Sequence, residues 1–176
     1  RHFLSMGWQV KVANPCDVPR SDKQQYQKTD KLDCRNLCKQ LQQDQLRGIY
    51  VPTEMEEQLR SLLRQRNQVV KQVRTIKSHI KGLLLFHGIQ IPEQFDNPSW
   101  SNDFMAWLRN IPWSHSTGAA CMHSKLRILE VLHREYLQTS NELRAWCRKH
   151  NSKDYYLLKS IPGIGGLVAA AILAEM

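Results

Sequence analysis

Two carboxylates, Asp30 and Asp33, stand three residues apart at the start of a helix-prone run over residues 28–43. Residues at that spacing share one helical face. Adjacent carboxylate oxygens suit Mg²⁺, which binds one or two carboxylates while keeping waters for phosphate chemistry. An acid in a first helical turn is also favoured by the helix dipole alone, so a solitary pair at this spacing does not specify a metal. Lys28, just before the cap residue Thr29, has two readings as well: a phosphate contact, or a solvated lysine. A second constellation is Ile161-Pro162-Gly163-Ile164-Gly165-Gly166, flanked by helical runs. Glycines in such a turn let the backbone approach a phosphate, and the next helix turns its free N–H groups toward it. The contact expected of Gly163, Ile164 and Gly165 ignores base sequence. The plain alternative is a glycine turn between packed helices.

The elements that must hold these two sites apart are long helices. Over residues 53–87, Met55, Leu59, Leu62, Val69, Val73, Ile76, Ile80 and Leu83 alternate at four and three, with Arg66 in one seam slot. That is the coiled-coil pattern, and at 1.5 Å per residue it gives a rod of roughly 50 Å. Thr53 and Glu56 supply its cap. Met122, Leu126, Leu129, His133, Tyr136, Ser140, Leu143 and Cys147 repeat the alternation, so an antiparallel hairpin is expected. Arg66 has two readings: it meets an acid such as Glu135 across the seam, or its stem snorkels past it. His133 is expected to be a core histidine.

The rod is strongly one-signed. No acid occurs from Gln58 to Gln90, and Arg60, Arg64, Asn67, Lys71, Arg74, Ser78 and Lys81 repeat at four and three as a stripe set apart from the seam. A solvated face normally mixes signs. One sign repels itself and favours phosphates, with nothing in the spacing to choose RNA or DNA; the plain alternative is a face that serves solubility alone.

Residues 88–117 break the pattern with Pro92, Pro98 and Pro112 and hold Trp100, Trp107 and Trp113. A short helix over 102–109 should turn Phe104, Trp107 and Leu108 inward, with the indoles plugging the hairpin end rather than stacking on bases. Residues 152–160 predict a helix with Tyr156, Leu157 and Ile161 inward, and 167–176 another. At the other end, residues 8–12 and 48–51 suggest short strands, and helix 28–43 should bury Cys34, Leu37, Cys38 and Leu41.

The formal charge of +9 points to a polyanionic partner. Five cysteines without CxxC spacing argue for reduced thiols. No apolar run reaches the length of a bilayer span, so the expectation is a cytoplasmic protein without a membrane partner.

The run Val12-Ala13-Asn14-Pro15, followed by Lys28-Thr29-Asp30-Lys31-Leu32-Asp33-Cys34, resembles the signature of the DEDD-type insertion-sequence transposases, the bridge-RNA-guided recombinases. Their amino-terminal domain is similar to the RuvC-like resolvases. The string Leu158, Ser160 to Gly165, Ala169, Ala170 and Glu175 looks like the opening of their carboxyl-terminal domain. The resemblance implies that Asp30 and Asp33 are the last two of four metal-binding acids, holding Mg²⁺ in the complete protein. The first Asp and the Glu lie outside this chain, as does the family's serine nucleophile, which is not Ser160. Cys34 stands where the family has Ala. DNA and a structured guide RNA are the implied partners, and the coiled coil suggests a homo-oligomer.

The expected architecture is mainly α. Residues 1–51 are the end of a RuvC-like α/β domain and 52–150 the coiled-coil hairpin. Residues 151–176 open the carboxyl-terminal domain with a helix-hairpin-helix. The expected activity is that of an internal transposase fragment, acting in strand cleavage and exchange but inactive alone. The alternatives are a non-enzymatic nucleic-acid-binding module and a coiled-coil scaffold.

Overall fold

A computed structural model of the chain describes residues 2–19, 29–95 and 99–176, which fall into two compact units, Arg1–Thr53 and Glu54–Met176. In the first, α1 (His2–Ser5) closes on Gly7, whose φ of +79° favours glycine. Asn14 then caps a 3₁₀ turn, Pro15–Asp17, its side chain accepting from the Cys16 N–H at 3.1 Å. Helix α2 (Asp30–Gln42) begins at Thr29, whose hydroxyl accepts from the Leu32 N–H. It ends in a Schellman turn: Asp44 has φ +50°, and the Gln45 N–H reaches back to the Gln40 carbonyl at 3.0 Å. Lys11 Nζ meets Asp44 at 2.7 Å and holds its carboxyl below the usual range.

The expected strands shrink to one antiparallel bridge, Ala13 with Gly48, beside which the Ile49 N–H donates to the Val12 carbonyl at 2.8 Å. Two four- or five-residue segments without a third make only a marginal ribbon. The expected buried face of α2 is also corrected: Cys34, Leu37, Cys38 and Leu41 are all exposed. Among the described residues of this unit only Gln40 and Leu46 are buried, too little apolar material to cover a helix.

The second unit is built on α3 (Glu54–Phe86) and α5 (Ser116–His150), which run antiparallel. Leu59 and Leu63 pack with Leu143 and Cys147 at one end, while Ile76, Ile80 and Leu84 pack with Met122, Leu126 and Leu129 at the other. A third helix joins each end: α4 (Asn102–Arg109) beside the turn of the hairpin, α7 (Gly166–Glu175) at the open end. Each widens the buried sector, so Leu63 and Leu84 go fully inside where Leu62 and Leu83 were expected, and Met55 stays exposed. His133 is exposed, not core; its neighbour Leu132 packs inward instead.

The indoles do cap the hairpin. Ser101 caps α4, Phe104 and Leu108 are buried, and Trp107 stacks on Phe104 at 5.7 Å. Trp113 packs against Gly118, where an added Cβ would sit 2.5 Å from the ring. At the open end, α6 (Ser152–Lys159) buries Tyr155 and partly Leu158. Tyr156, Leu157 and Ile161, expected inward, are 54%, 63% and 48% exposed. The true inward pair lies one residue away, because the Tyr155 hydroxyl must sit over the small Gly166, and Ala169 and Ala170 let the helices close.

Candidate nucleic-acid interface

Asp30 is exposed at the start of α2 and Asp33 is half-buried. Asp33 lines a groove with Val12, Ala13, Pro15 and Asn36, so the Asn-Pro turn and the second acid meet there. Asp30 does not line that groove. Among the described residues no group of three or more His, Cys, Asp or Glu side chains gathers to hold a metal. The two carboxylates supply hard oxygen donors, a donor set that suits Mg²⁺ as part of a larger site. Lys28 lies outside the described residues.

On α3 the basic row is intact over most of its length. Arg64, Asn67, Lys71, Arg74, Ser78 and Lys81 are all exposed. Arg64 and Lys71 flank a shallow groove floored by Asn67, Gln68, Gln72 and Thr75. Arg60 is withdrawn from the row. Its guanidinium donates to the Ala174 and Glu175 carbonyls, each at 3.0 Å, and so caps the end of α7. The last carbonyls of a helix lack partners and carry its negative dipole end, which attracts a nearby cation. Arg66 in the seam donates to the Ser140 hydroxyl at 3.4 Å and lies 5.2 Å over the Tyr136 ring. Its stem therefore passes the seam along a polar gap, with Ser140 taking the place expected for Glu135.

The glycine hairpin forms as a turn closed by Ile164 N–H to Ile161 carbonyl at 3.1 Å, with Pro162 and Gly163 at its centre. Gly163 has φ +88°, the value required at the third position of a type II turn. Gly163 and Gly165 are exposed, and nothing lies within 4 Å of a Cβ added to either. Gly166 differs, since a Cβ there would meet the Tyr155 hydroxyl at 2.5 Å. Gly165 is the N-cap of α7 and no side chain caps that end, so the first-turn N–H groups of α7 have no side-chain acceptor. Ile164 is half-buried and anchors the turn to the core below.

One feature escaped the sequence reading. Lys77, which belongs to neither the seam nor the row, lies 5.0 Å over the Trp100 ring. Burial, and then the charge of Lys81, lower its pKa. The signal in the sequence was its register alone, between the two rows.

The molecule is thus mainly helical, with an exposed one-signed face on a long antiparallel hairpin, a class of surface suited to polyanions. Comparison with known proteins narrows the class. Residues 2–88 match the family model DEDD_Tnp_IS110, described as a transposase. The chain is 29% identical over 115 residues to the "Putative transposase y4qE" of Sinorhizobium fredii, covering 65% of this chain and 28% of that protein. The chain therefore spans less than a third of that relative's length. No solved structure matches. Both matches are likenesses to transposases, one over residues 2–88 and one over 115 residues.

Proposed function

We propose that this chain serves DNA transposition as the nucleic-acid-gripping portion of a DEDD-type transposase, with the exposed row Arg64, Lys71, Arg74 and Lys81 laid along a phosphate backbone. The observation that carries this reading is the row itself: cations on one exposed helix face with no acid between Gln58 and Gln90. A scaffold role leaves such self-repulsion without a purpose. The Gly163–Gly165 turn acts as a helix-hairpin-helix, giving a second backbone contact that is blind to base identity. In the complete protein Asp30 and Asp33 are the residues of this chain that would hold Mg²⁺, within a RuvC-like domain. That ion would stabilise negative charge building on a phosphate during strand cleavage and exchange. A structured guide RNA is the second polyanion the row would accept. Exposed Ile128, Val131 and Leu137 on α5 support self-association through the coiled coil, and the same reading keeps the cytoplasmic location.

The test is fluorescence anisotropy with a labelled duplex. Arg64→Ala, Lys71→Ala, Arg74→Ala and Lys81→Ala combined should weaken binding by about 100-fold or more at moderate salt. Equal affinity for variant and wild type would remove the row from the interface. In a complete transposase, Asp30→Asn with Asp33→Asn should abolish transposition while binding persists. Surviving transposition would exclude the acid pair from the metal site and leave a binding module.

A further inference from the structure

Beside the Trp-rich end of the hairpin lies a cleft of about 380 Å³, assembled from α3, α4 and α5. Trp100, Met105 and Leu129 form its apolar wall, while Lys77, Asn102 and His133 supply polar atoms. Arg109 and Glu130, ion-paired with each other, complete the lining. The volume falls within the range of small-ligand sites, about 300–1,000 Å³.

Its position matters as much as its lining. A helix turns about 100° per residue, so Lys77 falls between the buried Ile76–Ile80 row and the exposed Arg74, Ser78, Lys81 row. The cleft therefore adjoins the cation row. A strand following the row comes within reach of Lys77 without leaving that side of α3.

We propose that this cleft accepts one unstacked nucleotide of a strand held along α3, with the base against Trp100, Met105 and Leu129 and the phosphate near Lys77. The proposal rests on the reading of the row as a nucleic-acid contact. The lining selects this ligand class from others. A nucleobase has a flat face for an indole and thioether wall, taking the place over Trp100 that the Lys77 ammonium leaves as it turns to the phosphate. It also has a polar edge, which the Asn102 amide can meet with both a donor and an acceptor. A bare inorganic anion leaves the apolar wall unused, and an acyl chain leaves Lys77 and Asn102 without partners. Lys77 is already partly stripped of water and pressed by Lys81, so a phosphate beside it relieves an unfavourable charge.

The experiment compares the affinity of the full chain for a labelled single strand and for the same strand with abasic sugars throughout. DNA and RNA are tried in turn. The backbone charge is the same in each pair, so the affinity ratio isolates the bases. The intact strand should bind about tenfold tighter or more. A preference confined to DNA or to RNA supports the cleft and identifies which strand it takes. In Asn102→Asp with His133→Glu, two exposed positions whose new carboxylates repel a phosphate, the ratio should fall to within about twofold. Trp100→Leu should act likewise; if that variant does not fold, the acidic variant decides. A wild-type ratio near one, or a ratio unchanged by the acidic variant, overturns the cleft and leaves the row standing. Failure of both strands to bind the wild type removes the row and the cleft together.

Discussion

Gly82 and Gly118 both sit inside long helices, and alanine should move stability in opposite directions at the two. Around Gly82 nothing lies within 4 Å of an added Cβ. Gly82→Ala should therefore raise stability by up to about 1 kcal/mol through helix propensity. At Gly118 the Trp113 ring occupies that space, and a large ring in a packed end cannot move cheaply. Gly118→Ala should cost about 1–3 kcal/mol. Urea midpoints of the two variants against wild type check the pair of signs. Cys147 provides a pH test. It is fully buried and burial pushes its thiol up, so the folded state keeps the proton after the unfolded chain has lost it. A raised folded pKa means stability is whole below the unfolded thiol's pKa and falls as pH rises through the folded one. Cys147→Ala should show a smaller alkaline loss of urea midpoint than wild type, and equal losses would refute the assignment. Arg60 shows why residue roles were only partly legible. Its spacing placed it correctly on the helix, but its partners are backbone carbonyls of residues 174 and 175, a separation no local pattern encodes.

At the scale of elements, periodicity served where both sides of a pair were present in the sequence. The two long helices, their antiparallel packing and the short helix α4 all follow from spacing, because one apolar face selects another. Pairwise periodicity does not encode the burial that a third helix adds. Leu63, Leu84 and Tyr155 are buried by neighbours that come from elsewhere in the chain, and the inward face of α6 was placed one residue off. Strands failed for another reason: their stability comes from partners in a sheet, and among the described residues only the Ala13–Gly48 bridge forms. The hairpin element allows a separation of structural from functional glycine. Gly163 has φ +88°, so Gly163→Ala should lose about 1 kcal/mol or more of stability. Gly165, with an ordinary φ of −76° and open space around it, should accept alanine at a cost below about 1 kcal/mol, that of a poorer N-cap. Gly165→Ala should nonetheless weaken duplex binding, because the methyl stands where a phosphate would approach. Unchanged affinity in a normally folded Gly165→Ala protein would make the turn purely structural.

For the whole molecule, the formal charge of +9 states the partner's sign but not where it sits. The second unit places four cations, Arg64, Lys71, Arg74 and Lys81, on one side of α3, away from the seam. The first unit places Asp33 beside the Asn-Pro turn, which brings together two pieces of the transposase-like signature that are distant in sequence. The candidate metal pair was legible as a pair, yet its geometry was not: one acid lines a groove and the other lies on open surface. Carboxylates three apart share a helical side without having to share a cavity.

The most direct measurement of the central claim is the slope of log affinity against log salt for duplex binding. Each phosphate neutralised contributes about −0.9 to that slope. The variant lacking Arg64, Lys71, Arg74 and Lys81 should therefore be shallower than wild type by about 3 to 4, while Arg60→Ala, whose guanidinium is committed to α7, should leave the slope nearly unchanged. Parallel lines for wild type and the four-fold variant would contradict the account.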